Sequence, residues 1–267
     1  MMNTFCSNAT DGQTRYGING WFQTQLIQQT GKTMINYDKE TNTFVSNLSD
    51  PDIERAENLL YDIGKKGFVD TDWKGNANNA LKDGNTLFYC MGTWAMTGNN
   101  GPKEGDDWRV VPIPSDPNTD EKYMTSDMLA YMWVKGSTKK EAMKTWMECA
   151  KLVNTDPTYI EADKEKFFVN NPNWTEEMYQ MAYSELSSSN WVQLIDPGYG
   201  ISTTLSNDDA AANDTKEAVV AYMYSSVMKT DDDGAQYTWT QLRETYSGTI
   251  DSELKTFNEE YKKFIGK

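Results

Sequence analysis

The chain has 267 residues, 38% hydrophobic and 24% charged, a balance that supports a buried core in more than one lobe and excludes a disordered tail. A formal net charge of −15 excludes a basic surface for nucleic acid and docking on an anionic membrane face. There is no histidine, so serine or cysteine catalysis through a His base is excluded; Cys6, Cys90 and Cys149 form no CxxC pair, and no metal or cofactor is assigned.

The first residues, "MMNTFCSNATDGQTRYGING", lack the basic start and apolar core of a signal peptide, and no later run approaches a membrane span. Thr10-Asp11-Gly12 and residues 17–20 bracket a short segment around Tyr16. Trp21, Phe22, Leu26 and Ile27 follow at spacings that suit one face of a helix. "MINYDKETNTFVSN" reads as a hairpin with a polar turn.

In "SDPDIERAENLLYDIGKKG", Asp50 caps a helix, Pro51 takes its first position, and Ile53, Ala56, Leu59, Leu60 and Ile63 form its apolar stripe. Lys65 and Lys66 suit the negative end and Gly67 terminates it. A short helix is expected over residues 77–82 and a strand over residues 86–91.

That strand runs into Gly92-Thr93-Trp94. Gly92 permits close approach of backbone to a ligand, Thr93 offers a hydroxyl, and Trp94 offers an aromatic face. A tryptophan capping the core at a strand end fits the same pattern.

"WRVVPIPSDPNTDEKYM" reads as a strand breaking into a proline-rich loop, and "MLAYMWVKG" as another strand, with Trp133 in the core. Ser126 and Asp127 precede that second strand. An ionised Asp accepts hydrogen bonds from two hydroxyls at once, although a solvated turn fits equally. Ser137 or Thr138 then caps a helix, with Glu141 completing a capping box and Ala142, Trp146, Ala150 and Val153 on the buried face.

Beyond Pro157 the chain reads as mainly helical, including "NPNWTEEMYQMAYSEL" and "NDTKEAVVAYMYSSVMK". "DPGYGIS" is a loop that places Tyr199 between two glycines, with Trp191 as the competing aromatic. From Trp239 to Phe264 the apolar residues recur three or four apart, a long amphipathic helix with a weak point at Gly248. Trp146, Trp174 and Trp239 read as packing, and Cys90 and Cys149 as small buried hydrophobes. Strands interleaved with helices indicate an α/β architecture.

Acid runs at Asp106-Asp107, Asp208-Asp209 and residues 231–233 raise the alternative of a glycoside hydrolase working through paired carboxylates. They fall in polar loops or at helix starts, where acids serve solubility and capping, and read as solvated surface.

"YGINGWF", the capped helix ending "IGKKG", "ALKDGNTLFYCMGTWAM", "WRVVPIP", "DMLAYMWVKGSTKKEAMKTWMECAKL" and "TWTQLRETYSGTIDSELKTFNEEYKKF" occur in an order that resembles the extracellular sugar-binding proteins of bacterial ABC importers, the class that includes maltose-binding protein. The resemblance runs from about Tyr16 to the end. It implies a periplasmic-binding-protein-like type II fold, two α/β lobes with the solute in the cleft between them. A substantial first lobe is expected upstream in that family, so the chain resembles the C-terminal part of a longer protein, whose lipid anchor and signal peptide would precede it.

The resemblance implies that residues 16–109 and 158–267 form the second lobe and residues 110–157 a remnant of the first, with residues 1–15 a truncated lead-in. The remnant, without its partner strands, is expected to be the least stable region. It further implies a non-enzymatic carbohydrate-binding role outside the cell, with ABC permease subunits as partners. Trp94, Trp21 (or its neighbour Phe22) and Tyr199 would stack on sugar, while Asp127, Ser126 and Thr93 bind hydroxyls and Gly92 opens the backbone. A peptide or polyamine solute is the alternative within the same fold, and would require a cleft richer in acids than in aromatics.

Overall fold

The computed structural model describes residues 1–9, 12–70, 81, 83–126, 133–205, 219–229 and 234–266. In chain order its elements are α1 (Met2–Ser7), β1 (Tyr16–Gly20), α2 (Gln23–Gln28), β2 (Ile35–Asp38), β3 (Thr43–Ser46), α3 (Pro51–Lys65) and β4 (Thr86–Cys90). A 3-10 turn (Thr93–Met96) follows, then β5 (Tyr123–Thr125), α4 (Lys140–Thr155), α5 (Pro157–Asn170) and α6 (Glu176–Tyr179), which runs into a π-helical turn at Gln180–Glu185. The last are β6 (Val192–Leu194), α7 (Gly198–Ile201), α8 (Val219–Met228) and α9 (Trp239–Ile265).

The fold is mixed α/β, about half helix and a tenth strand, so helices rather than a broad sheet build the core. Among the described residues the strands form three two-stranded sheets, β1 with β4, β2 with β3, and β5 with β6. No helix among them is long and apolar enough to cross a membrane. The chain divides into two compact units: residues 1–91, 112–126 and 186–267 form the first, and residues 92–111 and 127–185 the second.

The core of the first unit gathers Phe22, Ile27, Met34, Ile53, Leu60, Met223, Trp239 and Ile250 from α2, the segment before β2, α3, α8 and α9. Helix α3 starts as its sequence requires, with the Asp50 carboxylate accepting from the Asp52 amide at 2.9 Å and Pro51 in the first turn. It ends at Gly67, whose φ of +69° is a left-handed value that glycine adopts without strain.

The buried face of α3 is Ile53, Ala56, Glu57, Leu60 and Ile63, while Leu59 is exposed. The expected stripe is corrected at one position for a geometric reason. Residue 57 stands one turn from Ile53 on the core side, and residue 59 faces away whatever its hydrophobicity.

Helix α9 runs unbroken through Gly248, opened by a reciprocal capping box between Thr238 and Gln241. It also satisfies strand β3. The Asn258 amide accepts from the Phe44 N–H at 2.7 Å and donates to the Phe44 carbonyl at 2.8 Å, pairing that backbone as a neighbouring strand would.

Other expectations shift. The strand expected in "WRVVPIP" is absent from the described residues, since Pro112 and Pro114 lack the donors a ladder needs; the strand forms at Tyr123–Thr125 instead, parallel to β6. The strand expected in "MLAYMWVKG" lies mostly outside the described residues, as does nearly all of the helix expected at residues 77–82. The capping box expected at Thr138 and Glu141 does not form, because α4 begins at Lys140 with Lys139 before it and no side-chain cap.

Helix α4 buries none of its residues. Trp146 is 45% exposed, Cys149 is exposed, and Trp133 just upstream is 42% exposed, so the packing expected for all three is corrected. No described residue from 110 to 157 is buried.

That observation carries a stability prediction. Backbone amides of α4 are expected to exchange with deuterium well ahead of those of α8 and the first half of α9, which lie in the core. Equal protection of α4 and α8 in a peptide-resolved exchange experiment would refute it.

Candidate functional site

In the first unit, β1 and β4 pair in parallel with Gly20 opposite Cys90, so both strands finish at the same edge. Ligands of open α/β sheets gather beyond the carboxyl ends of parallel strands. Strand β1 is held on its other side too, because the Gly17 and Ile18 amides donate to the Phe68 carbonyl at 2.7 and 3.1 Å. Fully buried Asn19 donates to Thr86 Oγ1 and accepts from the Asp70 amide, both at 2.9 Å. Sequence reading passed over Asn19, which looks like an ordinary turn residue until the strand is seen.

Gly20 has φ of +93°, and a Cβ there would stand 2.0 Å from the Cys90 carbonyl oxygen. Only glycine fits that approach. The next amide, of Trp21, donates to the same carbonyl at 2.8 Å, which fixes where the indole leaves the strand. Trp21 is 46% exposed and Phe22 is fully buried, so of the two neighbours Phe22 is the core residue. The Cys90 thiol donates to the Trp21 carbonyl at 3.6 Å, and burial pushes its pKa up to about 12.

Ser126 continues the β5 pairing, its amide donating to the Leu194 carbonyl at 2.8 Å. Its hydroxyl is already engaged in a short hydrogen bond to Gln193 Oε1. Tyr199 lies in α7, a single turn fixed from below by Asp196. That buried carboxylate accepts from the Gly198 amide at 2.9 Å and the Met34 amide at 3.2 Å. Burial raises its pKa to about 6, against the opposing pull of backbone amides. Trp191, the competing aromatic, is buried with the Lys122 ammonium 5.6 Å from its ring centroid, a packing role. Asp196 was also missed at the sequence level, where the motif drew notice for its tyrosine and glycines.

In the second unit, Gly92 caps the 3-10 turn that carries Thr93 and Trp94, and the Ala95 amide closes it onto the Gly92 carbonyl at 2.9 Å. Ala95 is buried beneath, while Trp94 is 65% exposed. A Cβ on Gly92 would meet the Trp94 Nε1 at 2.4 Å. The glycine therefore makes room for the indole of its own turn, which fills the space that the sequence reading reserved for ligand approach.

The turn is held from the helical side. The Trp174 indole donates to the Met96 carbonyl at 2.9 Å, and Asn171 Oδ1 accepts from the Gly98 amide at 2.7 Å. Trp174 is itself gripped by Phe167, edge to face at 5.2 Å. Its expected packing role is found. Asp127 lies outside the described residues.

Among the acid pairs, Asp106 accepts from the Lys103 amide at 2.7 Å, and the highly exposed Asp107 pairs with Arg109 at 2.6 Å. The runs at 208–209 and 231–233 lie outside the described residues. Among the described residues no group of three or more Cys, Asp or Glu side chains is placed to hold a metal ion. No family model, curated protein or solved structure matches this chain.

Proposed function

We propose that the chain is the carbohydrate-binding, non-enzymatic component of an ABC importer, acting outside the cell as the second lobe of a type II periplasmic-binding-protein-like pair with permease subunits as partners. One observation carries the reading: Trp21 in the first unit and, separately, Trp94 in the second are 46% and 65% exposed. Exposed indoles match the flat C–H faces of sugars, which supports a carbohydrate over a charged solute. Asp127, Ser126, Thr93 and Tyr199 remain the proposed hydroxyl and stacking partners, and Gly92 the residue that seats Trp94.

Intrinsic fluorescence titrated with a panel of mono- and oligosaccharides tests this. A saturable change is expected, with affinity weakened by about tenfold or more in Trp94→Ala. An unaltered titration curve in Trp94→Ala would remove Trp94 from the site. Hydrolysis of chromogenic glycosides that is abolished by one Asp or Glu substitution would replace the reading with a hydrolase.

A further inference from the structure

The second parallel pair, β5 with β6, sets two polar side chains together at its edge. Thr125 lies opposite Leu194, so both strands finish at the same place, and the Ser126 amide carries the ladder one step further by donating to the Leu194 carbonyl at 2.8 Å. Open α/β sheets collect ligands beyond the carboxyl ends of their parallel strands. Side chains alternate between the two faces of a strand, and two contacts fix which of them share a face here. The Lys122 ammonium is 5.6 Å from the Trp191 ring centroid, and Ser126 Oγ donates to Gln193 Oε1. Lys122, Ser126, Trp191 and Gln193 therefore stand on one side of the pair.

The protons available at Ser126 and Gln193 determine what can bind there. A serine hydroxyl has one proton, and Ser126 gives it to Gln193, so toward a third group Ser126 Oγ offers lone pairs alone. Gln193 Nε2 has two protons. One goes to the Leu186 carbonyl at 3.5 Å, and the other has no partner among the described residues. Gln193 is exposed and Ser126 is half-buried, so an acceptor and a donor stand side by side within reach of solvent. We propose that Gln193 is a specificity-determining residue of the carbohydrate site, donating to one hydroxyl of a sugar ring while Ser126 accepts from the hydroxyl next to it. The inference rests on the carbohydrate reading above and adds to it a residue and the direction of each hydrogen bond.

A sugar hydroxyl both donates and accepts, so two neighbouring hydroxyls satisfy the pair at once. An ammonium group has donors only and would leave the Gln193 N–H unpaired, which selects against a polyamine. Trp191, on the same face, is 7% exposed and its buried Nε1 has no hydrogen-bond partner among the described residues, a donor whose lost hydration an acceptor from a bound ligand would offset. Gln29 ties this edge to the exposed indole of the same unit. Its Nε2 donates to the Tyr123 carbonyl at 2.8 Å, and the helix that Gln29 ends, α2, begins two residues after Trp21.

The test is a titration of the ¹⁵N-labelled full chain with maltose, cellobiose and xylobiose, followed by fluorescence and by the Gln193 side-chain amide signals, identified by their loss in Gln193→Ala. Those signals are expected to shift to saturation with the sugar that binds. Gln193→Ala and Ser126→Ala are each expected to weaken binding by about three- to tenfold with circular dichroism unchanged. Gln193→Glu keeps the acceptor for Ser126 but has no N–H to give, and is expected to bind as weakly as Gln193→Ala. Removing one of the two hydroxyls from the sugar is expected to cost affinity in the parent and little further in Gln193→Ala. Saturable binding with unmoved Gln193 signals and full affinity in both alanine variants would overturn the proposal and leave the carbohydrate reading standing. No saturable change in the parent with any of the three sugars would remove that reading, and the Gln193 assignment with it.

Discussion

Phe22→Ala is expected to lower folding stability by about 3–5 kcal/mol, the cost of deleting a buried aromatic and leaving a cavity. Trp21→Ala, one residue earlier, is expected to lower it by less than about 1 kcal/mol, as for surface positions in general. The contrast follows from burial, since Phe22 is fully buried and Trp21 is 46% exposed. It also follows from the backbone: the positive φ of Gly20 turns the chain as β1 ends, and Phe22 then stands at the head of α2, facing the core. Urea denaturation followed by far-ultraviolet circular dichroism separates the two without using the tryptophan signal itself. If Trp21→Ala costs as much as Phe22→Ala, the indole is a core element, and the proposed stacking surface at β1 disappears with it.

The same pair of residues shows how far the sequence can be read. Their spacing with Leu26 and Ile27 indicates a helical face, and α2 is there; which of the two aromatics faces inward depends on the turn at Gly20 and on the Cys90 carbonyl, 70 residues downstream. Local signals fared best where local chemistry decides. Asp50 and Pro51 start α3, the Asp-Lys-Glu-Thr-Asn turn makes the β2–β3 hairpin, and the apolar spacing from Trp239 onward makes α9.

Where the partner is distant, pattern was a weaker guide. The parallel pairing of β1 with β4 joins segments whose contact no turn residue announces. Helix α4 has a legible amphipathic face, yet that face meets no core, because periodicity records which side is apolar and is silent about what covers it. Gly92 was legible as a close-approach glycine, but the group approaching is Trp94 of the same turn.

Glu57 is the clearest case of a residue whose pattern conceals its environment, and it yields the largest pH effect expected here. It has no exposed surface, neither carboxylate oxygen has a hydrogen-bond partner among the described residues, and burial holds its pKa well above the ordinary value. In the folded chain the carboxyl is therefore protonated at pH values where the unfolded chain has already released the proton. The folded state binds the extra proton, so this group's contribution is fully present below the unfolded pKa, about 4.3, and is lost as pH rises toward the folded value. Asp196, raised to about 6, adds a contribution of the same sign. Glu57→Met replaces the acid with an apolar side chain of similar length and is expected to stabilise the chain by about 1–3 kcal/mol at pH 7, the cost of burying a polar group without a hydrogen bond. Glu57→Gln keeps the shape and removes the proton equilibrium. The difference in unfolding free energy between each variant and the parent, measured by urea denaturation from pH 4 to pH 8, cancels the titration of the surface acids and should grow with pH for both. A difference that stays flat across that range would mean that Glu57 ionises alike in the folded and unfolded chains, contrary to the cost of charging a fully buried carboxyl that has no hydrogen-bond partner among the described residues.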